Sequence, residues 1–376
     1  YGLYPLRETE KFLDDGNAVW SHWRFSYRGN PRPGQNLLWT AQSVAHGADE
    51  ITYFRWRTCL FGAEQFWHGI LPHNGVPGRR YSEIQETIQI LTPVMDDIHG
   101  IVQKAQAGIL FSYENEWAIR LQPQNPGLKY DEVVFKYYKE FYKHNITVDF
   151  VASGADLGKY RILVAPLLYL MTPELEKRLE KYVKDGGILI LTMRTGVMNN
   201  NNVCMSENPL PGKLAAIVGA KVEEYDSLYE KNVILNMKDW KGIGEHWCDI
   251  LSPDSAVPIA IYGSEYYKGK AAIVKNKYKN GWVYYIGTDP EEKTMEYLME
   301  KILTDAGMFR EKTGNVEIVF RKGRKKEYLF VMNHAEEDCV AEVPGGWNAE
   351  ERIQLKGYEV KILERNCGND KSGRQS

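Results

Sequence analysis

The chain of 376 residues carries 47 lysines and arginines against 50 aspartates and glutamates, a net charge of −3 that excludes a dominant nucleic-acid or anionic-membrane surface. Hydrophobic residues at 43% and charged residues at 26% describe a globular protein long enough for two or three domains, and no apolar run approaches the roughly 18 residues of a membrane span. Five scattered cysteines without CxxC spacing argue against a metal site or disulfide framework and for a reducing, cytoplasmic compartment. The 24 Tyr and 10 Trp suit carbohydrate stacking or large subunit interfaces.

Residues 1–32 show little periodicity but carry Trp20, Trp23, Arg24 and Tyr27. A helix opens at Pro33 and ends at Gly47, with Leu37, Leu38, Ala41, Val44 and Ala45 on one face. Ile51 to Trp56 then changes to period 2 and predicts a strand. The loop from Arg57 to His73 interleaves Arg57, Glu64, Gln65, His68 and His73 with Phe61, Phe66 and Trp67, a mixture suited to a sugar's apolar faces and hydroxyl rim. Ile84, Ile88, Leu91, Val94 and Ile98 predict an amphipathic helix from about Tyr81 to His99. Together these read as the last βα unit of a larger structure. In a (β/α)₈ barrel this loop leaves the carboxyl end of a strand, where active sites lie.

A second domain begins near Gln106. Strands are expected at Ile109–Tyr113, Ile146–Val151, Ile162–Ala165 and Ile188–Thr192, with helices at Asp131–His144 and from Pro173, capped by Thr172, to Gly186. Such alternation predicts a doubly wound α/β domain of the flavodoxin or glutamine-amidotransferase type. Residues 197–212 read as an exposed loop and 213–218 as a short helix. Ala271–Lys279 and Trp282–Gly287 flank Asn280-Gly281 and predict a hairpin, and Asp289-Pro290-Glu291-Glu292 reads as a capping box for a helix over Lys293–Ala306. From Thr313 onward, short strands at Val316–Phe320, Glu327–Met332, Cys339–Val343 and Tyr358–Glu364 predict a small antiparallel β domain. The expected division is 1–105, 106–307 and 308–366, with a disordered tail over 367–376.

The block RPGQNLLWTAQSVAHGADEITYFRWR followed by FGAEQFWHGILPH resembles the end of the catalytic barrel in glycoside hydrolase family 42 β-galactosidases. ILFSYENEW, LGKYRILVAPLLYL, YVKDGGILILT and KGKAAIVKNKYKNGWVYYIGT are similar, in order, to that family's trimerisation domain, and VEIVFRKGRKKEYLFVMNH resembles its C-terminal β domain. The resemblance implies retaining hydrolysis of terminal β-D-galactosides by two glutamates roughly 5 Å apart, without a cofactor, in a homotrimer. It also implies a sugar-stacking role for Trp23 and hydroxyl binding by Glu64 and His68, with Trp67 adding one residue to the expected spacing. No acid/base or nucleophilic glutamate is recognisable by pattern in this chain. Asp15 has the nucleophile's spacing to Trp23 without its motif. Sequence upstream of Tyr1 is therefore expected, and residues 1–376 alone are expected to be inactive.

Plainer readings stand beside these. Glu64 and His68 at i,i+4 also fit an ordinary helical pair, and Trp56, inside the expected strand, reads as core. Asn115-Glu116 imitates a glycosidase Asn-Glu pair but falls in the second domain. A non-catalytic oligomerisation or ligand-binding module of the amidotransferase type is the alternative function. An amidase needs a Cys or Ser elbow after a strand, and Leu191-Thr192-Met193-Arg194-Thr195 has none.

Overall fold

The computed structural model describes residues 30–347 and 351–367, so Asp15, Trp23 and residues 368–376 lie outside the described residues. Two helices come first, α1 (Gln35–Ala45) and α2 (Arg79–Ile98). Gly34 enters α1 at φ 92 and Gly47 follows it at φ 110, backbone conformations that a side chain disfavours. The segment expected as a strand, Ile51–Trp56, joins no sheet. Its period-2 pattern reflects extended backbone with no strand beside it, and only a bridge between Arg57 and Leu71 follows. The chain forms two compact units, residues 105–310 and residues 30–104 with 311–367.

In residues 105–310, β1 (Ala107–Leu110), β2 (Val148–Val151), β3 (Ile162–Ala165), β4 (Ile188–Thr192) and β10 (Gly281–Ile286) run parallel in the order β2-β1-β3-β4-β10. The first strand stops short of Tyr113 because Ser112 accepts the Asn115 N–H at 3.2 Å and caps α3 (Tyr113–Leu121). Both faces of the parallel strands are covered, which is why β3 and β4 are buried throughout and apolar up to Thr192. Ile109, Val164 and Ile190 share one core with Val134, Tyr137 and Phe141 of α4 (Tyr130–Lys143). Leu163, Leu189 and Leu191 share the other with Leu175, Leu179 and Val183 of α5 (Pro173–Lys184), whose N-terminus Thr172 caps as expected.

After a short α6 (Ala215–Val218) come four strands that the sequence pattern does not announce: β5 (Ala220–Ser227), β6 (Val233–Met237), β7 (Lys241–Pro253) and β8 (Val257–Tyr262). With β9 (Ala271–Tyr278) and β11 (Thr288–Pro290) they extend the same sheet to 11 strands by antiparallel pairing. The β9–β10 hairpin turns at Lys279-Asn280, one residue before the expected pair. Gly281 serves another purpose: a Cβ there would lie 2.2 Å from the Val183 carbonyl oxygen and 2.4 Å from that of Gly187. The expected cap also moves. Glu291 accepts the Lys293 and Thr294 N–H groups at the start of α7 (Glu292–Asp305), while Asp289 is buried 2.7 Å from both Lys136 Nζ and His246 Nδ1.

In the other unit, β12 (Val316–Lys322), β13 (Lys326–Asn333) and β16 (Val360–Asn366) form an antiparallel sheet with β13 central, and β14 (Cys339–Glu342) pairs with β15 (Arg352–Leu355), a strand the sequence pattern did not reveal. Successive residues of β13 point to opposite faces. Tyr328, Phe330 and Met332 share a core with Leu38, Ala41 and Val44 of α1 and Leu91, Val94 and Ile98 of α2. Leu329 and Val331 share a second core with Ala341, Val343, Trp347 and Leu355. Cys367, expected in the tail, donates its N–H to the Lys325 carbonyl at 3.1 Å.

Buried charges join these helices to these strands. Glu317 sits within 2.5 Å of His46 Nε2 and 2.8 Å of His334 Nε2 and accepts from Gln42 Nε2 at 2.8 Å. Arg321, 1% exposed, donates to the Val44 and Ile101 carbonyls at 3.1 and 3.0 Å, placing a cation at the negative end of α1. Asp97 accepts the Lys325 and Lys326 N–H groups at 2.9 and 3.0 Å and the Tyr328 hydroxyl at 3.1 Å.

Burial alone would raise the Glu317 pKa, but the charge of His46 and the hydrogen bonds from both histidines outweigh it and hold the carboxyl far below the ordinary range. A depressed carboxylate contributes stability that is present above its unfolded pKa of about 4.3 and is lost as pH falls through the folded value. Glu317→Ala should therefore destabilise this unit by about 3 kcal/mol in denaturant unfolding at pH 7. In Glu317→Gln, the stability lost by the wild type below about pH 4.3 should be largely absent. An unchanged acid limb in that variant would contradict the assignment.

Candidate functional site

The loop over 57–73 is closed at its base by backbone pairing. Ile70 N–H donates to the Arg55 carbonyl and Leu71 N–H to that of Trp56, both at 2.8 Å, while Thr58 N–H returns to Leu71 at 3.0 Å. Thr58 is 1% exposed and doubles this closure, since its hydroxyl donates to the Leu71 carbonyl at 3.0 Å and accepts the Gly69 N–H at 2.7 Å. Gly69 admits no side chain, because a Cβ would approach the Arg57 carbonyl carbon to 2.5 Å. These two residues were not singled out from sequence; a small Thr and Gly bracketing an aromatic loop are their only signal.

Glu64 and His68 lie in a turn, not on a helix, with Trp67 N–H donating to the Glu64 carbonyl at 3.0 Å. The Glu64 carboxylate is paired with the Arg55 guanidinium, and its side chain remains 43% exposed. The guanidinium lies 4.7 Å from the centre of the Phe54 ring, and Phe54 meets Trp67 edge-on at 6.4 Å. His68 packs edge-on to His73 at 6.1 Å, and His73 Nε2 is 2.6 Å from the Gln65 carbonyl oxygen. Burial, then the charges of Arg80 and His73, lower the His68 pKa, so its ring is neutral near pH 7, with one nitrogen to donate and one to accept.

Around these polar groups the apolar surface is open. Phe61, Phe66 and Leu60 are exposed, and Trp56, expected in the core, is 62% exposed and meets only the edge of Tyr81 at 6.1 Å. Its exposure follows from the missing strand, since a residue outside a sheet has no second layer to cover it. Trp23, the remaining candidate, lies outside the described residues.

Two other clusters have structural partners. Asn115 is buried on α3 and accepts the Leu170 N–H at 2.7 Å, while Glu116 pairs with Arg120 at 3.6 Å, so the Asn-Glu pair serves to fasten a loop. Glu245, His246 and Asp289 gather closely enough to hold a metal ion, but the Lys136 ammonium lies 2.7 Å from Asp289 and 3.5 Å from Glu245 and already neutralises them. No helix among the described residues is long and apolar enough to cross a membrane.

The parallel-to-antiparallel sheet and the helices that cover it define a mixed α/β protein, and comparison with known proteins agrees. A family model described as "Beta-galactosidase trimerisation domain" matches residues 105–309, and one described as "Beta-galactosidase" matches residues 16–94. The chain belongs to the glycoside hydrolase family 42 β-galactosidases. Among its relatives, β-galactosidase BgaA of Clostridium cellulovorans is 35% identical over 312 residues, covering 82% of this chain and 47% of the relative. BgaB of Geobacillus sp. is 33% identical over 353 residues, covering 91% and 51%. The crystal structure of a β-galactosidase from Bacillus circulans sp. alkalophilus superposes with a TM-score of 0.86 at 29% identity, covering 92% of this chain and 54% of that one. The chain thus spans about half the length of the relatives it matches.

The loop's dependence on its base is directly testable. Thr58→Val keeps the shape but strands the Gly69 N–H, a loss of about 1–3 kcal/mol, and Gly69→Ala forces the backbone apart at similar cost. Both variants should speed hydrogen exchange at the Ile70 and Leu71 amides; wild-type protection there would show that the loop closes by other means.

Proposed function

We propose that this chain supplies the hydroxyl-binding end of the catalytic barrel and the assembly platform of a retaining β-galactosidase that releases terminal β-D-galactose. The observation that carries the reading is the match of residues 16–94 to the β-galactosidase family model, in a segment whose described loop carries Glu64, His68 and the exposed rings of Phe61 and Phe66. Residues 1–105 are read as the end of that barrel, and residues 106–307 as a flavodoxin-like trimerisation domain.

Division of labour follows from the chemistry. Retaining hydrolysis needs one carboxyl as acid/base and a second as nucleophile, about 5 Å apart. Glu64 is already paired with Arg55, which suits it to accept hydrogen bonds from sugar hydroxyls rather than to attack carbon. Neutral His68 donates to one hydroxyl or accepts from another, and Trp23 supplies the flat face for the sugar's C–H groups. Neither reacting carboxylate is recognisable by pattern in this chain.

Purified residues 1–376 should show no hydrolysis of a chromogenic β-galactoside; measurable turnover would move the search for the two carboxylates to Asp14, Asp15, Glu64 and Glu116. In a protein that carries this chain behind a whole barrel, Glu64→Ala should lower kcat/KM by on the order of 10–100-fold, the worth of one charge-assisted hydrogen bond. Wild-type kinetics there would remove Glu64 from the site. Assembly is tested separately: light scattering at micromolar concentration should read three chain masses, and a monomer alone would overturn the homotrimer.

A further inference from the structure

Arg194 follows β4 at the carboxyl edge of the parallel strands, where open α/β sheets place their ligands. It stands in the segment where an amidotransferase-type domain would carry its nucleophile. Its backbone is left-handed, at φ 64, a conformation that costs a long side chain on the order of 1 kcal/mol and that clusters at functional positions. The residue is 6% exposed.

Three rings surround the cation. The guanidinium carbon lies 4.5 Å from the centre of Trp247, 5.3 Å from Tyr169 and 5.4 Å from Tyr225. Ring faces attract a cation, but they do not accept five N–H hydrogen bonds. Among the described residues the guanidinium has no hydrogen bond and no ion pair, although its own backbone N–H donates to Asp249 Oδ2 at 3.1 Å. Asp249 is the nearest candidate counter-ion, yet its oxygens are occupied by Trp247 Nε1 at 2.9 Å, the Tyr285 hydroxyl at 2.7 Å and that N–H. Burial pushes the Asp249 carboxyl above the ordinary range, against the pull of those hydrogen bonds and of the Arg194 charge.

The residue is nearly buried, yet its guanidinium nitrogens still reach solvent, so the fold leaves this cation open to a group that arrives from outside. The way in lies beside Tyr225, which is 56% exposed and stacks on Trp247 at 5.2 Å. We propose that Arg194 is the receptor for a carboxylate, bound edge-on by the guanidinium fork inside the Trp247, Tyr169 and Tyr225 cage. A planar carboxylate matches that fork in two parallel hydrogen bonds, and the ring faces hold the cation that it pairs with. The carboxylate comes either from a small organic acid or from an Asp or Glu side chain of a second copy of this chain.

The experiment compares the full chain with Arg194→Lys and Arg194→Met. The lysine variant keeps the charge and removes the fork, so it stands even where the methionine variant fails to fold. Melting is followed in sodium acetate or malonate against sodium chloride of equal ionic strength, and mass by light scattering. If the source is a free acid, carboxylate salts raise the wild-type Tm by at least about 2 °C over chloride and leave the lysine variant unmoved. If the source is a second copy, the salts do nothing and the lysine variant dissociates at concentrations where the wild type is oligomeric. Wild-type behaviour of the lysine variant in both arms, or a wild type that neither responds to carboxylates nor assembles, overturns the proposal.

Discussion

Three buried charges hold α1 and α2 against a sheet that the chain reaches more than two hundred residues later. Glu317, Arg321 and Asp97 each cross that gap, at sequence separations of 271, 277 and 228. Each is satisfied by several partners, the condition under which burying a charge is tolerated at all. Apolar contact between α1, α2 and β13 is non-directional and would accept neighbouring registers. The charges do not, because a shift by one residue leaves a carboxylate or guanidinium without its acceptors or donors. The aromatic loop inherits this fixity, since it is spliced between the two helices.

The other unit solves its packing differently. One sheet begins as buried parallel strands covered on both faces and continues, through β10 and β9, into antiparallel strands with longer exposed stretches. Asp249 lies where the two styles meet, on β7, tied to Trp247, to Tyr285 on β10 and to the backbone after β4. A domain built to assemble needs both properties: a rigid interior and surface not used up by its own helices. Exposed Tyr113, Trp117 and Tyr225 fit that description.

Sequence pattern revealed the elements whose burial is simple. Ile162–Ala165 and Ile188–Thr192 are buried at every position because both faces are covered, and their bounds are read without error. Strands β5 to β8 escaped because their burial alternates irregularly and register shifts interrupt β5 and β8; Lys241–Pro253 mixes exposed, half-buried and fully buried positions along 13 residues. Ile51–Trp56 had the pattern of a strand but forms none, its end pairing only with the base of the loop among the described residues. Asn280-Gly281 had the pattern of a turn, but the glycine answers to the backbone of Val183 and Gly187. At the candidate site, Glu64 and His68 were legible only through family resemblance, whereas the Thr58 and Gly69 base, whose need is set by distances across the loop, left almost no trace in sequence. Arg194 stood in the sequence only as part of a stretch without a nucleophile elbow, and its rings, drawn from distant segments, left no sequence signal.

The functional account joins a family membership to a geometry: a loop pinned at its base that carries a carboxylate paired with Arg55, a histidine packed edge-on to His73 and exposed aromatic rings. Its central claim is that Glu64 and His68 touch galactose. The most direct test is a crystal structure, with galactose bound, of a protein carrying this chain behind a whole family 42 barrel. The account predicts the Glu64 carboxylate and the His68 imidazole within about 2.6–3.2 Å of galactose hydroxyls. Galactose seated away from both residues, with Glu64 still turned to Arg55 alone, would contradict it.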